Sequence, residues 1–281
     1  MSFRKFDLNE ADYTAIYGAK KPFPHIVIDD FWLNTEELKK AYDEIYTVPI
    51  QDFFYNDQHE HQLYKRGLGK LDAMPPTLKK IIETLNSQDT LDYLSRLTGI
   101  YGLKSDPTLW GGGVHVTSRG GKLGIHSDYN LHYETQYHRR LNLLLYLNPV
   151  WEENWGGSLE LWDEQMVQMQ EKIVPKFNRM AMFNTTSESY HGHPDPLACP
   201  DEFERASIAL YYFTEDRPDY EKRDAHGKAL WQIRPESNDP VMPMDPQDIK
   251  QAQQIIELNH TAHQSVNNLK DTLDQLAVSD I

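Results

Sequence analysis

With one cysteine, Cys199, the chain can form no internal disulfide, so a packed core must hold it together, and the composition suits a reducing compartment. Long apolar runs are also missing. The longest, around Leu143 to Leu147, is far too short to cross a bilayer, and "MSFRKFDLNEADY" at the N-terminus has no apolar signal region. A cytoplasmic protein with no membrane partner is expected. Basic charge is scarce: 28 Lys and Arg stand against 43 Asp and Glu, a formal charge of -15. Such a field repels phosphate backbones, so nucleic acid is not expected as a partner. No internal repeat or low-complexity segment occurs. What is present is ordinary for a globular protein, 39% hydrophobic with 16 Tyr, 10 Phe and 6 Trp. A chain of this length can bury roughly 75% of its extended surface.

The stretch "PFPHIVIDDFW" reads as a strand, followed by a helix in "LNTEELKKAYDEIY" where Asn34 and Glu37 have capping-box spacing. Leu38, Ala41, Tyr42 and Ile45 recur at helical spacing and should face the core. Two further helices follow, one turning Leu78, Ile81, Ile82 and Leu85 inward, the next Leu91, Leu94 and Leu97. Between the first and second, "QDFFYNDQHEHQLYKRG" lacks a period and reads as a long loop or broken hairpin; residues 52–70 are a candidate lid. From residue 108 to 214, eight short β-prone runs separated by turn signals suggest an antiparallel barrel or sandwich. After Pro218 the chain is polar until Asp245 and Pro246, an N-cap followed by proline at the first helical position. The last helix carries Ala252, Ile255, Asn259, Ala262, Val266, Leu269, Leu273 and Leu276 in a three-four alternation. That stripe either lies against the chain's own helices or forms a two-chain seam in a homodimer.

Residues at i and i+2 of a strand share a face, about 7 Å apart, so His126 and Asp128 of "HSD" can reach one ion. His191 in "SYHGHP" is the candidate third ligand. Two histidines and one carboxylate leave three positions of an octahedral metal open, the arrangement of non-haem Fe(II) oxygenases. A second pattern, His191-x-His193-x-Asp195, also occurs in metal hydrolases, but Pro194 should turn the chain so that Asp195 points elsewhere. His132, His138, His59 and His61 read as polar residues near the mouth. Arg205 opens the strand-like "RASIALYYF", where a guanidinium could bind a carboxylate through two parallel bonds, with Ser207 on the same face.

Together with "PFPHIVIDDF", "RRLNLLLYLN", "WGGSLELW" and "PKFNRMAMF", these motifs make the segment from Pro22 to Pro218 resemble the Fe(II)- and 2-oxoglutarate-dependent oxygenases of the prolyl hydroxylase type. The resemblance implies an α+β fold with a double-stranded β-helix, or jelly-roll, core, N-terminal flanking helices and a C-terminal helix. The expected domain spans 1–218, with a helical and strand part at 1–107 and the core at 108–218, followed by an extension at 219–281. His126, Asp128 and His191 would bind Fe(II), and Arg205 the distal carboxylate of 2-oxoglutarate. Tyr146 occupies the position of a family tyrosine that contacts the same carboxylate, and Asn142 shares its strand face. Many members have a tyrosine where this chain has Val116; His115 and Thr117 are the neighbouring candidates for the contact to the 1-carboxylate. Because a carboxylate stands at Asp128, where related halogenases have a small residue, oxygenation is favoured over halogenation.

The implied reaction uses O2 and 2-oxoglutarate, with ascorbate a candidate reductant, and hydroxylates either a prolyl or other residue of a peptide or a small metabolite such as an amino acid or sugar. Arg139, Arg140 and Tyr129 are candidate substrate contacts at the mouth; the tyrosines could equally pack on the rim. A non-catalytic metal- or ligand-binding protein on the same fold is the alternative.

Overall fold

The computed structural model describes residues 2–5, 10–55, 57–221, 226–235, 237 and 243–279. The chain runs α1 (Glu10–Ala19), β1 (His25–Ile28), α2 (Thr35–Ile45), β2 (Gln62–Leu68), α3 (Pro76–Leu85), α4 (Gln88–Thr98), β3 (Lys104–Ser105), β4 (Gly113–Ser127), β5 (His138–Tyr146), β6 (Leu159–Trp162), β7 (Met169–Ile173), β8 (Met180–Asn184), β9 (His191–His193), β10 (Arg205–Thr214), β11 (Leu230–Trp231) and α5 (Pro246–Ser279). The strands pair antiparallel in the order β1-β8-β5-β10-β4-β9-β6-β7, with β2 and β11 on β4 and β3 on β10. This is the expected double-stranded β-helix.

Strand parity decides what faces the site. Leu141, Leu143 and Leu145 of β5, Ala206, Ile208, Leu210 and Tyr212 of β10, and Val114 and Val116 of β4 are buried in one core with Leu38, Ile45, Leu78, Ile82, Leu94 and Leu97 of the helices. The alternate residues, Asn142 and Leu144, Arg205 and Ser207, and His115 and Thr117, line a cavity on the other side. Tyr146, Leu159, Leu161, Ile173, Ala181 and Phe183 form a second apolar cluster.

The runs "TLWGGGVHV" and "KLGIHSDY" are two parts of the single 15-residue β4. Its first half pairs with β10 over residues 113–117, and its second half pairs with β9 at Leu123 and His126. The change of partner falls around Gly120, at φ 76, and Gly121, where a Cβ would come within 2.7 Å of the Leu63 carbonyl oxygen. Only glycine fits that crowded bend.

Asn34 caps α2 as expected, its side chain accepting from the Glu37 amide at 3.2 Å. At α5 the cap is Asp245, which accepts from the amides of Gln247 and Asp248 at 2.8 and 2.9 Å. The expected loop at 52–70 contains β2, which lies along β4. Tyr64, at φ 51, makes the bulge that interrupts its alternation and hides the strand from a period-two reading. Helix α1, with Tyr17 buried and donating to Asn184 Oδ1 at 2.6 Å, was not expected.

On α5 the buried face is Ala252, Ile256 and His260, a strict four-residue spacing, and the helix docks against β2. Val266, Leu269, Leu273 and Leu276 of the expected stripe are exposed. The first half therefore packs on the chain's own body, offset from the expected seam.

Candidate active site

His126, Asp128 and His191 converge. Their ligand atoms lie within 4.8 Å of one another, with His126 Nε2 3.6 Å from Asp128 Oδ1 and His191 Nε2 3.3 Å from Asp128 Oδ2. The register explains the meeting: His126 and His191 are direct partners across β4 and β9, and Asp128 follows His126 by two residues. Each imidazole is oriented from behind, His126 Nδ1 by the Gly124 carbonyl and His191 Nδ1 by the Ser189 carbonyl, both at 2.9 Å. With the Nδ1 proton donated to backbone, the Nε2 lone pairs face the common point, as metal ligation needs.

Asp128 is braced as well. Asn142 Nδ2 donates to its Oδ2 at 2.6 Å and Arg139 Nη2 donates to the same oxygen at 3.0 Å. Burial alone would raise this carboxyl, but Arg139 and the two imidazoles outweigh it and hold the group well below the usual carboxylate range. Burial lowers the His126 pKa, which keeps that ring neutral. Two imidazoles and one ionised carboxylate suit a divalent cation, and the set fits Fe(II).

The same cavity, about 210 Å³ in volume, is lined by Arg205, Ser207, Lys65, Thr117 and His115. Arg205 is buried; its Nε donates to the Gly157 carbonyl at 2.7 Å and its Nη2 reaches Tyr146 Oη at 3.4 Å. Among the described residues no carboxylate pairs with it, and burial lowers its pKa. A buried guanidinium without a counter-ion is costly, and a ligand carboxylate would offset that cost.

The remaining candidates fall elsewhere in the site or outside it. Arg139 is buried between the rings of Tyr129 and Tyr211, its Cζ 4.5 and 3.4 Å from their centroids, and its donors go to Asp128 and Asn142. It braces the carboxylate ligand from the cavity wall. Arg140 is spent on Thr214 and Glu221, at 3.2 and 3.1 Å, and does not line the cavity. Tyr129 lines it, with its hydroxyl donating to the Trp110 carbonyl. Val116 faces the helical core. Asp195 turns out to Arg234 at 2.8 Å, so the His-x-His-x-Asp pattern does not close on a point. His132 and His138 lie beside Asp106 and Asp216.

Two of the lining residues that escaped sequence reading sit on strands the sequence hides. Trp231 of β11 pairs with His126, its ring 4.9 Å from that imidazole and stacked on His61 at 5.1 Å. A two-residue strand in a polar segment gives no periodic signal. Lys65 lies just after the bulge of β2, which hid the strand itself.

Comparison with known proteins agrees with this geometry. Residues 93–213 match the family model described as the 2OG-Fe(II) oxygenase superfamily. The matched stretch runs from within α4 almost to the end of β10 and so includes His126, Asp128, His191 and Arg205. The mouse protein Prolyl 3-hydroxylase OGFOD1 is 24% identical over 196 residues, covering 68% of this chain and 33% of the mouse protein. The chain thus spans about a third of the length of the curated relatives it matches. Among solved structures, a Trichoplax adhaerens prolyl hydroxylase in complex with a hypoxia inducible factor peptide fragment aligns with TM-score 0.53 and 19% identity, covering 74% of this chain and 91% of that one. HygX from Streptomyces hygroscopicus, with nickel, 2-oxoglutarate and hygromycin B bound, aligns with TM-score 0.50 and 12% identity over 77% of this chain and 96% of that one. These likenesses place the chain on the double-stranded β-helix fold, and the His–Asp–His cluster lies within the stretch that the family model matches.

Proposed function

We propose that this chain is an Fe(II)- and 2-oxoglutarate-dependent dioxygenase that hydroxylates an unactivated C–H bond, with a prolyl residue of a peptide as the favoured substrate class. The observation that carries the reading is a single cavity holding both a His–Asp–His set and a buried arginine with no carboxylate partner among the described residues.

His126, Asp128 and His191 would hold Fe(II), and Arg205 with Tyr146 would hold the distal carboxylate of 2-oxoglutarate. When bound, the metal and cosubstrate supply oxidative decarboxylation by O2, giving succinate and CO2 and one oxygen atom for the substrate C–H bond. The chain's own part is positional. Gly124 and Ser189 fix the imidazoles, while Asn142 and Arg139 stop the Asp128 carboxylate from rotating away. Ser207 lies on the Arg205 face, and Leu144, Leu159 and Phe183 exclude water from the floor.

The cavity of about 210 Å³ is small beside the roughly 300–1,000 Å³ of pockets that enclose whole drug-sized ligands. Cosubstrate would take most of it, leaving room for one inserted side chain, which favours a peptide over a bulky metabolite. The names of OGFOD1 and of the peptide-bound neighbour lend support; the antibiotic-bound neighbour keeps a small-molecule substrate as the second reading.

The test is succinate release by purified protein supplied with Fe(II), 2-oxoglutarate and a panel of proline-containing peptides and free amino acids, read by mass spectrometry. Turnover should vanish in His126→Ala, Asp128→Ala and His191→Ala. Undiminished turnover in His191→Ala would refute the ligand set, and iron binding without any affinity for 2-oxoglutarate would favour a non-catalytic binder.

A further inference from the structure

Among the described residues, Arg205 is not the only cation in the cavity without an acid partner. Lys65 lines the same space, and among the described residues its ammonium makes one weak hydrogen bond, to Gln62 Oε1 at 3.4 Å. Among the described residues no carboxylate stands within salt-bridge distance of it. The ladder fixes where it stands: Arg205 of β10 is the partner of Thr117 of β4, and Thr117 is the partner of Lys65 of β2. Directly opposed residues on antiparallel strands point to the same face, so Lys65, Thr117 and Arg205 form one row looking into the cavity. With neighbouring strands about 4.8 Å apart, the outer two backbones stand about 10 Å apart. Both side chains line the cavity.

That spacing suits a ligand with an anionic group at each end. Arg205 and Tyr146 serve one end. At the other, the cavity offers few competitors: Arg139 is committed to Asp128 and Asn142, Val116 faces the helices, and His115, which burial pushes well below its ordinary value, is neutral with Nε2 against the Gly111 carbonyl. We infer that Lys65 is the second anion contact of the cosubstrate pocket, holding the 1-carboxylate end of 2-oxoglutarate while Arg205 holds the distal one. Burial pulls the Lys65 pKa down to about 8, with Asp128 opposing that fall and Arg205 adding to it, which is consistent with an ammonium between the metal ligands and the arginine. A bound carboxylate would raise that value again.

This assignment rests on the cosubstrate reading above, and binding alone can separate the two. Isothermal titration under anaerobic conditions, with Ni(II) in the metal site, would compare 2-oxoglutarate with pyruvate, which keeps the 2-oxo acid end and lacks the distal carboxylate. Loss of a charge-assisted bond in Lys65→Met should raise Kd about 10- to 100-fold for both ligands. Arg205→Met should weaken 2-oxoglutarate by a similar factor and leave pyruvate unchanged. Lys65→Arg should recover most of the loss, and Lys65→Gln provides a polar second variant if the methionine one folds poorly. Wild-type affinity within twofold in Lys65→Met and Lys65→Gln would overturn the assignment while the cosubstrate reading stands. So would a penalty seen with 2-oxoglutarate and absent with pyruvate, which would move Lys65 to the distal end. No binding of 2-oxoglutarate by the wild-type protein would overturn both.

Discussion

Glu204→Gln tests whether the cavity's two cation-bearing strands are riveted from behind. Arg66 follows Lys65 on β2, and Glu204 precedes Arg205 on β10. Both are fully buried and joined by a bidentate pair, with both nitrogen–oxygen distances 2.8 Å. Ser118 Oγ donates to the same carboxylate, and the guanidinium lies 5.9 and 5.5 Å from the ring centroids of Tyr46 and Phe53. Burial would raise the Glu204 pKa, but Arg66 outweighs it and brings the value from 4.5 down to about 2. A fall of that size corresponds to roughly 3 kcal/mol of preference for the ionised form in the folded state. Removing one member of a buried pair independently suggests about 3–5 kcal/mol, because the partner charge is left uncompensated. The two routes agree to order of magnitude. For a chain of this size the lower figure predicts a Tm loss of about 6–12 °C. The sign follows from the direction of the shift: the contribution is full above pH 4.5 and is lost as pH falls through about 2. The wild-type advantage over Glu204→Gln, measured by urea unfolding, should therefore shrink to roughly half between pH 6 and pH 3. An advantage below about 1 kcal/mol at pH 6, or one that does not change with pH, would refute the reasoning.

Asn142→Ala removes the 2.6 Å donor to Asp128 and should weaken Fe(II) or Co(II) binding about 10- to 100-fold, read by metal titration; unchanged affinity would mean that Arg139 alone orients the carboxylate. His260 is buried on α5 against the Val48 carbonyl at 2.8 Å, and burial, aided by Arg66, lowers its pKa to about 4. Because the unfolded ring takes a proton first, stability should fall as pH drops from about 6.5 to 4. His260→Phe should flatten that part of the pH–stability curve, and an unaltered curve would remove His260 as the cause. The exposed Val266, Leu269 and Leu273 stripe is a proposed two-chain seam, for which sedimentation should give a dimer that Leu269→Glu with Leu273→Glu dissociates. A wild-type monomer at micromolar concentration would sink it.

How far the sequence could be read depended on whether the physics was local. The His126 and Asp128 pair was legible because strand parity alone puts i and i+2 on one face, and the helical faces of α2, α3 and α4 were legible because each buried stripe repeats within its own helix. Arg205 was legible through its place at the head of "RASIALYYF" in the family-like order of motifs, since a strand arginine taken alone reads as an ordinary surface ion pair. By contrast, Arg139 read as a candidate substrate contact, and nothing in "YHRRLN" shows that its donors go to Asp128 and Asn142, eleven residues back and three on. Lys65 was hidden twice, first by the bulge at Tyr64 and then by the need to know that β2 lies along β4. Trp231 reaches His126 through a pairing between segments far apart in the chain. On α5, a period close to both three-four and four hid which face is buried, because β2 and the surface it docks on select Ala252, Ile256 and His260. Ligands that depend on one strand were visible; the residues that brace and flank them belong to strand pairings, and such residues acquire their roles only when the sheet closes.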